Sequence, residues 1–238
     1  MPGWQTFTEL NKSGDFVFIA VAMDVGGIND VKPLYEGAGA KYITLVDPQN
    51  AMGEAWGFKV VPNGWLIDES GTVVFKQLGG FEVRSPKTIE TVEKFLQIAP
   101  AAKGEIKAAK SDKERIVELK NAISSNPDNG EANLELGQIL LRQGKAKLAQ
   151  NYLGAATRLM PKSGAAMFAL ASSIVAQGDK KTGLIVLKNA LKLDPSNYLI
   201  RKQIWHLEFP EKFHPEIDWA WQREQMKRER EAEKAGGG

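Results

Sequence analysis

Two histidines, His206 and His214, are the only imidazoles in the chain, and it contains no cysteine. Thiolate nucleophiles, disulfides and cysteine-based metal sites are therefore excluded within it. The histidines lie eight residues apart across a proline-bounded break, which is not a zinc-ligand spacing. Both are expected in surface or packing roles, and no metal site is expected. Asp24, Asp30 and Asp47 fall at strand ends, where capping and turn formation account for them. Gly26-Gly27 and Gly79-Gly80 lack both the Lys-Ser/Thr of a phosphate loop and the spacing of a dinucleotide fingerprint. These residues predict no catalytic group and no cofactor.

The elements that remain are those of a folded protein with a core. Apolar residues make up 43% and charged residues 25%, which predicts a buried core. The longest apolar stretch, Phe16 to Met23, has the length of a strand, so no membrane span is predicted. Met1 to Leu10 shows no basic segment followed by an apolar one, so no secretory signal is expected in the chain as given. Residues 1–100 hold 8 Lys and Arg against 12 Asp and Glu, whereas residues 101–238 hold 23 against 17. That asymmetry predicts two modules. The basic residues are interspersed with acids, which argues against nucleic acid as a partner.

Self-similarity organises the second half. Pro127, Pro161 and Pro195 recur every 34 residues, as do Ala122, Ala156 and Ala190, and Leu119, Leu153 and Leu187. Gly144 and Gly178 share the spacing, Leu136-Gly137 aligns with Leu170-Ala171, and Ala149 aligns with Gly183. This pattern resembles the tetratricopeptide repeat (TPR) family. Each repeat is then two antiparallel helices. Small residues let the helices approach, the glycines turn the chain, and the prolines stop it. Full repeats are predicted at about 130–163 and 164–197. A helix over Asp112–Ser124, opened by the capping box Ser111-Asp112-Lys113-Glu114, precedes them, and one over Tyr198–Leu207 follows. A helix from Glu216 to Lys234 is expected to point into water beyond Met226 and to fray into the last glycines.

The TPR resemblance implies a concave face that binds a protein or peptide partner. On this register the face includes Leu134, Gln138, Leu141, Phe168, Ser172 and Val175. It is largely apolar and lacks the Lys and Asn carboxylate clamp of many chaperone-binding relatives. With two full repeats, the tail helix or the N-terminal half of this chain is the expected filling.

In the first half, Phe16–Ala22 reads as a buried parallel strand. A polar turn over Asp24–Asp30 leads to a helix near Asn29–Gly37, Tyr42–Val46 is extended, and Ala51–Trp56 is a short helix. Asn63–Asp68 and Thr72–Phe75 form a hairpin around Glu69-Ser70-Gly71, and Ser85-Pro86 opens a last helix ending by Pro100. The chain thus divides into 1–99, a linker at 100–111, the repeats at 112–210 and a charged tail at 211–238.

The order helix, strand, helix, strand, strand, helix is that of an α/β thioredoxin-like domain lacking its first strand. Val21-Ala22-Met23-Asp24, Asp47-Pro48, Trp56-Gly57, Val61-Pro62, Leu66-Ile67-Asp68 with Gly71, and Gly79-Gly80 together resemble the TlpA/ResA-like redoxins. The resemblance implies a thiol-disulfide oxidoreductase or peroxide-handling relative, a cis Val61–Pro62 bond, and a substrate backbone paired at Val61 and Pro62. It also implies a Trp-Cys-x-x-Cys element just ahead of the position that Met1-Pro2 occupies. A late-assigned start at a selenocysteine codon, a deliberate cut or a redox-dead descendant would each leave the motif out. The chain as given is expected to be catalytically inert. Many family members act outside the cytoplasm, so the resemblance implies that location only for a longer native chain that carries an export signal, and the compartment is otherwise open. Without the first strand, Phe16–Ala22 and Gly64–Ile67 are expected to pair directly, to take a donated strand, or to stay apart. The competing expectation is a non-enzymatic scaffold whose two halves hold protein partners.

Overall fold

The structure, a computed structural model, describes residues 2–11, 15–97, 111–213 and 217–236. Apart from Ser111, the expected linker at 100–111 lies outside the described residues, as do His214 and the last two glycines.

The first unit runs α1 (Pro2–Leu10), β1 (Ile19–Ala22), α2 (Ile28–Gly37), β2 (Ile43–Val46), α3 (Ala51–Trp56), β3 (Gly64–Ile67), β4 (Val73–Gln77) and α4 (Pro86–Leu96). The starts of α3 and α4 are set by short polar side chains. Asp47 accepts the N–H groups of Ala51 and Met52 at 2.9 and 2.8 Å, and Ser85 caps α4 ahead of Pro86. β1 and β2 pair in parallel, with Ile19 opposite Ile43, while β3 and β4 form an antiparallel hairpin with Gly64 opposite Gln77. Among the described residues no strand joins the two sheets, so the edges of β1 and β3 stay apart. α1 spans both sheets: Trp4 stacks on Phe18 at 5.1 Å and on Phe81 at 5.6 Å, and Phe7 packs with Phe16, Leu66, Phe75 and Val92. The Val61–Pro62 bond is cis.

The expected buried strand Phe16–Ala22 needs correction. β1 covers only four residues, and Val17 and Ile19 are 72% and 51% exposed. A parallel strand is buried on both faces only where the sheet and its covering helices extend past it, and this sheet ends after two strands.

The second unit consists of α5 (Asp112–Ser125), α6 (Gly130–Arg142), α7 (Ala146–Leu159), α8 (Gly164–Ala176), α9 (Lys180–Leu193), α10 (Tyr198–Glu208) and α11 (Trp219–Gly236). α6–α7 and α8–α9 are the two full helix pairs. The expected capping box at Ser111 and Glu114 is formed, and Asn129, Ser163 and Asn197 cap α6, α8 and α10. Gly144 and Gly178 turn the chain within each pair with φ of 74° and 89°. Leu153, Ala156, Leu187 and Ala190, all on the 34-residue repeat, are fully buried.

The tail differs from expectation. α11 does not leave the protein after Met226, because Glu229 accepts from the Arg201 guanidinium and from Trp205 Nε1 on α10. Trp221 meets Trp205 at 5.8 Å and Phe209 at 5.2 Å, and Tyr198 donates to Gln222 at 2.7 Å. One stripe of an otherwise charged helix thus covers the open side of α10.

Candidate functional site

α6, α8 and α10 are equivalent helices of successive repeats, so a residue on one recurs 34 positions later on the next. Gln138, Ser172 and His206 form such a series. Each meets the first unit, and together they make a three-rung ladder along the concave side of the array.

At the first rung, Gln49 is 1% exposed and lays its amide along α6. With the amide atoms assigned by their partners, the nitrogen donates to the Gln138 carbonyl at 2.9 Å and the oxygen accepts from the Arg142 N–H at 3.2 Å. At the second, Ser172 Oγ donates to the Pro48 carbonyl at 2.8 Å, with the Phe168 carbonyl as an alternative acceptor at 3.0 Å. At the third, buried His206 places Nδ1 3.8 Å from Asp24 and 3.6 Å from Asp30, and packs on Phe213 at 4.9 Å. One turn before it, Gln203 donates to the Met23 carbonyl at 2.8 Å and accepts from the Val25 N–H at 2.9 Å. A carbonyl and an N–H two residues apart on one side are what a neighbouring strand would engage. Gln203 takes that role where β1 ends.

Apolar contacts fill the spaces between. Val25 is buried with Phe168, Val175, Ile200 and Ile204, and Met23 and Phe58 are buried with Leu199. At the rim Lys59 pairs with Asp194 at 2.8 Å. Burial works against the charge of Asp194, but hydrogen bonds from Lys59, Asn197 and Ser196 outweigh it and hold the carboxyl below its usual range. All the first-unit loops in the joint leave the carboxyl ends of β1 and β2 or follow α3.

Of the residues expected on the concave face, Phe168, Ser172 and Val175 meet the first unit through side chains. Gln138 does so through its carbonyl. Leu134 and Leu141 are instead buried in the core that α6 shares with Leu119 and Leu153. Val61 packs beside Phe58 and Leu199 at the edge of the joint, and Pro62 is exposed. Composition and spacing did not mark His206 or Gln203 as site residues. The usable signal was that His206 falls 34 residues after Ser172. Among the described residues no group of three or more His, Asp or Glu is arranged to hold a metal ion. No described helix is long and apolar enough to cross a membrane.

A tetratricopeptide repeat family model matches residues 101–174. Among solved structures, a double mutant of MamA RS-1 is similar at 18% identity and a TM-score of 0.40, over 43% of this chain and 58% of that one. A mutant of the O-GlcNAc transferase of Thermobaculum terrenum is similar at 22% identity and a TM-score of 0.36, over 42% of this chain and 23% of that one. This chain therefore spans less than two thirds of either. No curated protein matches it. The second half carries tetratricopeptide-like helical repeats, and the match supports a protein-interaction module there.

Proposed function

We propose that this chain is a non-enzymatic protein-interaction scaffold in which the repeat array holds the N-terminal α/β unit against its concave face. The observation that carries this is the ladder, in which three equivalent positions of successive repeats each engage the same neighbouring unit. The boundaries follow the same reading: a unit at 1–99, a linker at 100–111, the array at 112–210 and its closing tail at 211–238. Hydrogen exchange on Phe168→Asp tests it. Amides at residues 23–27 and 47–50 should exchange faster while α6 and α7 stay protected. A folded variant with unchanged exchange in both loops would remove the array as the holder of the first unit.

A second reading is that the first unit is a redoxin-derived thioredoxin-like domain. The order of its helices and strands and the separation of the two sheets favour it. On that reading Val61 and Pro62 pair a substrate backbone, at a place where Val61 also lies beside Leu199 of the array. The chain supplies no thiol. It is expected to give no turnover in an insulin-turbidity assay, and turnover above background would show that a group other than cysteine does the chemistry.

A further inference from the structure

The ladder defines the chemistry of whatever occupies it. His206 faces carboxylates, Ser172 donates to a main-chain carbonyl, and the α6 backbone takes an amide side chain that both donates and accepts. None of these features belongs uniquely to the first unit. A main-chain carbonyl is available in any extended segment, and a carboxylate and a glutamine are common side chains.

The joint also carries a feature that favours release of the resident loops. Lys59, the cation of the rim pair, is 54% exposed, so water and salt compete for it. Covalent attachment works the other way, because it keeps the loops at high effective concentration beside the face.

We propose that the loops over Asp24–Asp30 and Asp47–Asn50 are a resident, exchangeable ligand of the concave face. Their competitor is an extended segment of a second protein with the same features: a carboxylate for His206, a main-chain carbonyl for Ser172 and a glutamine for α6. The proposal rests on the reading of the array as a protein-binding module. It adds that the face is autoinhibited, and that weakening the joint turns binding on.

The full chain and a fluorescein-labelled peptide of residues 44–54, which carries the Pro48-Gln49 pair, test this by fluorescence polarisation. The native chain should bind the peptide weakly, because its own loop fills the rungs. Val25→Asp places a carboxylate among Phe168, Val175 and Ile204 and should release the loops, with peptide binding at least about tenfold tighter (~1.4 kcal/mol). Gln203→Ala is the milder companion should Val25→Asp fail to fold. A peptide with Gln49→Glu should lose most of the gain, since a carboxylate cannot donate to the Gln138 carbonyl. Hydrogen exchange at residues 47–50 is read in the same samples. Unchanged exchange in the folded variants overturns the reading of the array as holder of the first unit, and the exchange proposal with it. Faster exchange with no tighter peptide binding overturns the exchange proposal alone.

Discussion

Glu229 is a glutamate in a tail of almost continuous charge, yet it serves two buried groups of α10. Arg201 is 4% exposed and also donates to the Pro195 carbonyl at 2.9 Å, while Trp205 donates to Glu229 at 2.5 Å. Removing one member of a buried ion pair leaves the other charge to be solvated by what remains. Glu229→Ala is therefore expected to destabilise the fold by about 3 kcal/mol, seen as a lower urea midpoint. Glu229→Gln, which keeps an acceptor for Trp205, should lose less. If the two variants melt alike, the guanidinium and the indole do not depend on this side chain. Ser172→Ala is a smaller change with a more local readout. It leaves the Pro48 carbonyl without its donor, at a cost of about 1–3 kcal/mol. Exchange should rise at residues 47–50 before it rises in α8.

Helix pairs were legible because their reasons are local and repeat. Gly137 shows the constraint: a Cβ there would lie 2.5 Å from Leu153 Cγ, so the α6–α7 crossing depends on a missing side chain. Gly137→Val is expected to cost about 1–3 kcal/mol by overpacking, and calorimetry should show a lower Tm with the α-helical circular dichroism retained at 25 °C. A variant as stable as the native chain would mean that α7 shifts freely, contrary to the close packing of Ala149 and Ala156. The capping box at Ser111 was equally readable, since Ser111 lies three residues from the N–H it accepts, whereas the caps of the same reach at Asn129, Ser163 and Asn197 were not singled out. β1 was not. Its apolar run predicts burial, but burial of a strand depends on neighbours that no local pattern specifies. The joint was hidden for a related reason. Ser172 reaches Pro48 across 124 positions and Gln203 reaches Met23 across 180, and both bind main-chain atoms, which leave no mark on residue type. The fate of α11 was hidden by composition: a single glutamate facing Arg201 and Trp205 outweighs the charged residues around it.

On the scale of the whole molecule, one rim contact reports the docking of the two units without entering either core. Lys59 belongs to the first unit and Asp194 caps the end of α9, and they meet at 2.8 Å with Lys59 half exposed. A pair this exposed is worth at most about 1 kcal/mol and is screened by salt. Lys59→Glu and Asp194→Lys should each speed exchange at residues 47–50 by a few-fold, and the double variant should restore most of the protection. Failure of the double variant to recover would show that each reversal disturbs something other than the pair. pH provides a second route. Because Asp194 is held below its ordinary value of 3.8 when folded, its contribution is present above that value and is lost as the pH falls through the lower, folded one. Asp194→Asn should thus loosen the loops relative to the native chain at pH 7. The gap between the two proteins should close as acid protonates the native carboxyl, provided the comparison is kept at constant salt. A gap that stays constant through that range would mean that Asp194 holds Asn197 and Ser196 in the cap of α10 but does not hold the two units together.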